Sequence, residues 1–183
     1  MAVREIVVEG DPVLRRKARR VRRFGRQLAD LIADMFETMR QAHGVGLAAP
    51  QVGVSERVIV IEIPEDMEDE PNAGTRLALV NPELVKARGE ETSEEGCLSV
   101  PAFSGQVCRA AQVTVKGLDP QGREARIRAE GLLARALQHE MDHLDGVLFI
   151  DRVLEGTLQY HGDKEPTQVI AREQRSYADT PPG

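Results

Sequence analysis

Residues 138–143 read Gln-His-Glu-Met-Asp-His, and the two histidines four apart constrain this chain more than any other feature. On an α-helix, positions i and i+4 lie about 40° apart in azimuth and about 6 Å apart along the axis, so both imidazoles leave the same face. The flanking pattern agrees, because apolar residues from Leu132 to Leu144 recur at helical spacing after Gly131. Two ring nitrogens on one face can share one metal ion. Glu140 falls between them in azimuth, near the ion without being obliged to bind it, which is where a general base for a water belongs.

The remaining chain sets what that helix packs into. From Gln27 to His43, the residues Leu28, Leu31, Ile32, Met35, Phe36 and Met39 form one amphipathic stripe, with Gly44 expected as its C-cap. Arg57–Ile63 is apolar at nearly every position and predicts a strand covered on both faces. Short strands are expected at Leu77–Asn81 and Leu84–Ala87 around Pro82. A hairpin is expected from Gln112–Leu118 to Glu124–Ala129 across Asp-Pro-Gln-Gly. Strands around two helices without βαβ alternation give the class α+β, with small antiparallel and mixed sheets packed around the central His-Glu-x-x-His helix. At 183 residues the chain has one core. The expectation is a single catalytic domain over residues 1–153 and a weakly patterned tail over 154–183, with one strand-like run at Gln168–Ala171. Glu65–Glu70, five acids in six residues, reads as a solvated loop.

Composition removes several functions. No apolar run is long enough to span a membrane. With no Trp and two Tyr, base stacking has little material, which argues against sequence-specific nucleic-acid binding. Residues 1–26 hold nine Lys or Arg against three acids in a chain of net charge −6. That basic start reads as a solvated face. Two cysteines cannot build a disulfide framework and the start lacks a signal-peptide core, so a cytoplasmic location is expected. A monomer is the expected state.

Two histidines do not complete a metal site. A third histidine six residues beyond His143 would suit one protease class, but Phe149 stands there. Glu155 and Glu165 lie downstream in the weakly patterned tail. Upstream, Glu94-Glu95-Gly96-Cys97-Leu98-Ser99 offers the Cys97 thiolate on a short strand, and a Cys-His-His set leaves the fourth position open, as catalytic sites do. A third segment, Gly44-Val45-Gly46-Leu47-Ala48-Ala49-Pro50-Gln51, is a small-residue loop that lets backbone approach a ligand and ends in an amide donor.

These three segments, in this order, closely resemble the three motifs of the peptide deformylase family. The resemblance runs from Ile6 through Val153 and takes in Asp11–Arg15, Glu37–Met39 and Asp142–Arg152. It implies a metallohydrolase that removes the formyl group from the N-terminal formylmethionine of nascent polypeptides and releases formate. It further implies that Cys97, His139 and His143 hold one divalent metal, Fe2+ by expectation, with Zn2+, Ni2+ or Co2+ as alternatives. Glu140 would be the general base and then acid, with the Gln51 amide and the Leu98 backbone N–H facing the developing oxyanion.

The same resemblance assigns the outer shell of the site. Gly44, Val45 and Gly46 would wall the methionine slot beside Leu132 and Ala136, which precede His139 by seven and three, with Arg135 turned toward the peptide. Glu95 and Arg109 match a pair that holds the Cys97 strand in place. The tail lacks the basic helix through which many bacterial members dock on the ribosome, which leaves the basic start, Arg15 to Arg23, as at most a site of electrostatic contact with ribosomal RNA. Cys108 is read as a bystander, and Ser104 and Gly105 stand where larger polar residues can touch substrate in other members.

Overall fold

The structure, a computed structural model, describes residues 2–67 and 69–162. After an extended start and a 3-10 turn at Pro12–Arg15, the chain forms helix α1 (Arg26–Gln41) and strands β1 (Gly46–Ala48), β2 (Val58–Glu62) and β3 (Arg76–Arg88). Next come β4 (Glu91–Cys97), β5 (Val100–Arg109), β6 (Gln112–Leu118) and β7 (Glu124–Glu130), then helix α2 (Gly131–Leu144) and a short β8 (Gln159–Tyr160). One sheet has the order β1-β2-β3-β6-β7 and the other β4-β5-β8. Every ladder between these strands is antiparallel, and among the described residues parallel pairing is confined to one isolated bridge between Arg19 and Glu56.

The alternation of β2 explains the layering. Ile59 and Ile61 belong to the core under α2 with Leu133 and Leu137, while Val58 and Val60 belong to the core under α1 with Leu31, Met35 and Met39. Successive side chains leave opposite faces of a strand, so an unbroken apolar run is what a strand between two helices requires. All four of those β2 residues are fully buried, and each such side chain contributes roughly 1.5–3 kcal/mol. A third core, built on Leu14, Val100, Phe103, Val107, Leu148 and Phe149, joins the three-stranded sheet to the rest.

Three local expectations are corrected. The left-handed residue after α1 is His43 (φ 55°), not Gly44, and its N–H and that of Gly44 reach back to the carbonyls of Arg40 and Met39 at 3.0 and 2.9 Å. β3 runs through Pro82 as one strand, because its pairing with β6 slips between Val80 and Glu83. Asn81 (φ 52°) sits in that bulge, donating to and accepting from the Val21 backbone at 3.0 and 2.9 Å. The acidic loop is anchored, because the Glu70 carboxylate accepts from the Leu132 N–H at 2.9 Å and caps α2. β8 lies at the start of the segment read as a tail, and Gln168–Ala171 lies outside the described residues.

Candidate active site

α2 delivers His139, Glu140 and His143 from one face, as their spacing requires. β4 ends at Cys97, where the ladder with β5 shifts register after Gly96 and Cys97 pairs with Val100. One ligand atom from each of Cys97, His139 and His143 lies within 4.8 Å of the others. The Cys97 Sγ to His143 Nε2 distance is 3.3 Å, close to the separation of about 3.4–3.8 Å between ligands on a tetrahedral ion with bonds of 2.0–2.3 Å. A thiolate with two imidazoles suits a late first-row divalent cation rather than magnesium or calcium. Phe149, at the position that disqualified the downstream histidine, stacks on the His139 ring with centroids 6.4 Å apart.

Glu95 orients the ligand set. Its Oε2 accepts from His139 Nδ1 at 3.0 Å, which leaves the other ring nitrogen of His139 for a metal. Arg109 grips both oxygens of Glu95 at 2.6 and 2.8 Å, and Arg135 adds a third contact at 3.2 Å. Burial pushes the Glu95 carboxyl up, but hydrogen bonds from Arg109 and His139 outweigh it and hold the group at about 2. Arg109 also reaches Asp142 at 2.8 Å, and Asp142 is clasped by Arg152 at 2.6 and 2.7 Å. The sequence reading missed Asp142 and Arg152 as supports, although Asp142 sits next to a ligand inside the motif.

Glu140 is buried, and its Oε2 has no hydrogen-bond partner among the described residues. Burial raises its carboxyl to about 7, against the opposing charges of His139 and Arg109. Burial, followed by the positive charges of His139 and Arg109, lowers the His143 pKa well below its ordinary value and keeps the ring neutral, the form that can bind a metal. Gly46 makes room for Glu140, because a Cβ there would lie 2.9 Å from the Glu140 carboxyl carbon. Gly44 serves Leu98 similarly, with a Cβ falling 2.9 Å from Leu98 Cδ1.

Gln51 is oriented by its own turn. Its Oε1 accepts from the Ala48 N–H at 2.8 Å, which aims Nε2 at Ser99 Oγ (3.2 Å) and Cys97 Sγ (3.6 Å). The extended N-terminal segment ties both motif segments together, Val7 N–H bonding the Gln51 carbonyl at 2.9 Å and Glu9 N–H the Ser99 carbonyl at 2.7 Å. Ser99, fully buried beside Gln51, was not singled out from sequence.

One cleft of about 520 Å³ gathers these groups. Gly44, Val45, Gly46 and Gln51 form one side, Glu95, Cys97 and Leu98 another, and Leu132, Arg135, Ala136, His139 and Glu140 the third. His143 and Arg109 lie behind that surface, both buried. Arg135 faces Glu95 and, at 3.8 Å, Glu91. Ala102 at the cleft is left-handed (φ 65°), and its carbonyl is held by the His161 N–H at 2.7 Å.

A helix-borne His-Glu-x-x-His with a strand-borne thiol, a buried carboxylate oxygen unpartnered among the described residues and an aimed amide defines a metallohydrolase site. Residues 3–158 match the family described as polypeptide deformylase, and the chain belongs to that family. It is 52% identical over 166 residues to the peptide deformylase of Thermomicrobium roseum, covering 90% of this chain and 94% of that protein. The crystal structure of a peptide deformylase from Legionella pneumophila matches with a TM-score of 0.79 at 43% identity, over 98% of this chain and 100% of that one. The Ehrlichia chaffeensis enzyme in complex with actinonin matches at 0.80 and 38% identity, over 85% and 91%.

Proposed function

We propose that this chain removes the formyl group from the N-terminal formylmethionine of nascent polypeptides and releases formate. The observation that carries the reading is a single cleft where Cys97 and His139, backed by the buried His143, meet the Glu140 oxygen that has no partner among the described residues and the aimed Gln51 amide. Cys97, His139 and His143 hold one divalent cation, Fe2+ in the native enzyme, with Zn2+, Ni2+ or Co2+ able to take its place. Bound there, the cation supplies Lewis acidity, drawing the pKa of a water toward neutrality and polarising a carbonyl.

Glu140 takes a proton from the attacking water and passes it to the leaving amine. The formamide C–N bond breaks as the new C–O bond is completed, giving formate and a free amino terminus. Gln51 Nε2 and the Leu98 backbone N–H face the formyl oxygen as it gains charge. Glu95 and Arg109 hold the ring of His139 and the Cys97 strand. Gly44, Val45 and Gly46 form the methionine wall with Leu132 and Ala136, and Arg135 stands where the following peptide passes. The enzyme acts as a cytoplasmic monomer on chains emerging from the ribosome. Among the described residues no helix is long and apolar enough to cross a membrane. Formate release from formyl-Met-Ala-Ser, measured anaerobically with Fe2+ and again with Zn2+, tests the reading. Release with either metal is expected, and none with both refutes it.

A further inference from the structure

Three clefts outside the catalytic one are linked in series by shared wall residues. The first, of about 780 Å³, lies between the N-terminal segment and α1 and is rimmed by Arg19, Arg20, Arg22 and Arg23 over a floor of Val21, Leu28 and Leu31. Arg20 is also a wall of the second, whose other cations are Lys116 and Arg126. Arg126 in turn lines the third, on the outer face of β3, β6 and β7, with Lys86, Arg88 and Arg128. None of the three shares a lining residue with the catalytic cleft.

These cations outnumber the carboxylates that share the clefts, Glu56, Glu83, Glu124 and Glu130. Among the described residues the side chains of Arg19, Arg22, Arg23, Lys86, Arg88, Arg126 and Arg128 make no ion pair. One carboxylate, Glu83, serves both Arg20 (2.8 Å) and Lys116 (2.9 Å). Strand register puts Lys116 directly opposite Arg126, and sets Lys86 and Arg128 on either side of Thr114. Like charges directly across a ladder destabilise it, and Glu83, opposite Lys116 on its other side, offsets this for Lys116 alone. All this occurs in a chain of net charge −6, so the cations are concentrated rather than abundant.

We propose that these three clefts form one docking track for the phosphate backbone of structured RNA. Guanidinium forks match phosphate oxygens two at a time, and a row of such forks along a groove matches a chain of phosphates rather than an isolated one. The scarcity of aromatic side chains makes it a reader of backbone, not of bases. The track is concave, and the exposed apolar residues beside it, Leu84 and Val85, are too few to anchor it in a bilayer.

Fluorescence anisotropy of the metal-loaded protein with a labelled RNA hairpin of about 20 base pairs, over a salt series, tests the proposal. The expected affinity falls steeply with salt. Arg22→Gln/Arg23→Gln and Arg126→Gln/Arg128→Gln each lower the slope of log K against log salt by about 2, and the quadruple variant by about 4. Arg40→Gln/Arg76→Gln, an equal loss of charge off the track, leaves it unchanged, and all variants keep wild-type formate release. Absence of binding at low salt overturns the proposal, as does an equal loss in the off-track variant. Loss at only one end of the track overturns it too, and so does binding to phosphatidylserine vesicles but not to RNA.

Discussion

His139 Nδ1 donates to Glu95 Oε2 across 3.0 Å, so a carboxylate 44 residues away decides which nitrogen of this imidazole faces a metal. That carboxylate is itself clamped by Arg109. Glu95→Gln keeps the shape but weakens the charge that fixes the tautomer, and metal affinity is expected to fall by about 10–100-fold. Competition against a chelator measures it. Unchanged affinity would mean that the pair serves the strand alone.

Glu70 gives the acidic loop a task, as its carboxylate caps the first turn of the helix that carries the ligands. Glu70→Ala is expected to lower stability by about 1 kcal/mol, read from urea denaturation, with metal content retained. No change in the unfolding midpoint would contradict the capping role.

The raised carboxyl of Glu140 makes the metal-free protein sensitive to pH. Its folded value of about 7 lies above the ordinary 4.5, so the native state holds the proton more tightly. The associated stability is complete at acid pH and is lost as pH rises from about 4.5 through 7. The shift corresponds to about 3 kcal/mol. Glu140→Gln removes this dependence, so above pH 7 the metal-free variant should be the more stable protein in denaturant titrations. Parallel pH profiles for variant and wild type would rule this out.

Gln51 is fully committed through Oε1 and presents Nε2 to the cleft. Gln51→Leu is expected to retain metal and lose about 10²–10³ in kcat, or about 2.7–4 kcal/mol of barrier. A wild-type rate per bound metal would remove the amide from the chemistry.

How much of this was legible depended on the range of the interaction. The β2 run, the β6–β7 hairpin and the histidine pair of α2 are written in local period, and the structure places them as the period predicts. Cys97 and Gln51 were candidates in their own segments, and the resemblance joined them to the histidine pair, since no spacing links residue 97 to residue 139. What local pattern could not carry were contacts between distant residues. Glu70 caps a helix 62 positions away, and Arg109 bridges Asp142 across 33. Pro82 suggested a break because the slip in the β3–β6 ladder that accommodates it belongs to the partner strand as much as to its own. The left-handed residue after α1 is His43, one position before the glycine that composition singles out.

The most direct test of the central claim is formate release by Glu140→Gln, with metal content measured on the same preparation. Glu140 lies between the ligands without being one of them, so the variant should bind a full equivalent of metal and lose about 10²–10⁴ in kcat. A fully loaded variant that turns over formyl-Met-Ala-Ser at the wild-type rate would contradict the account.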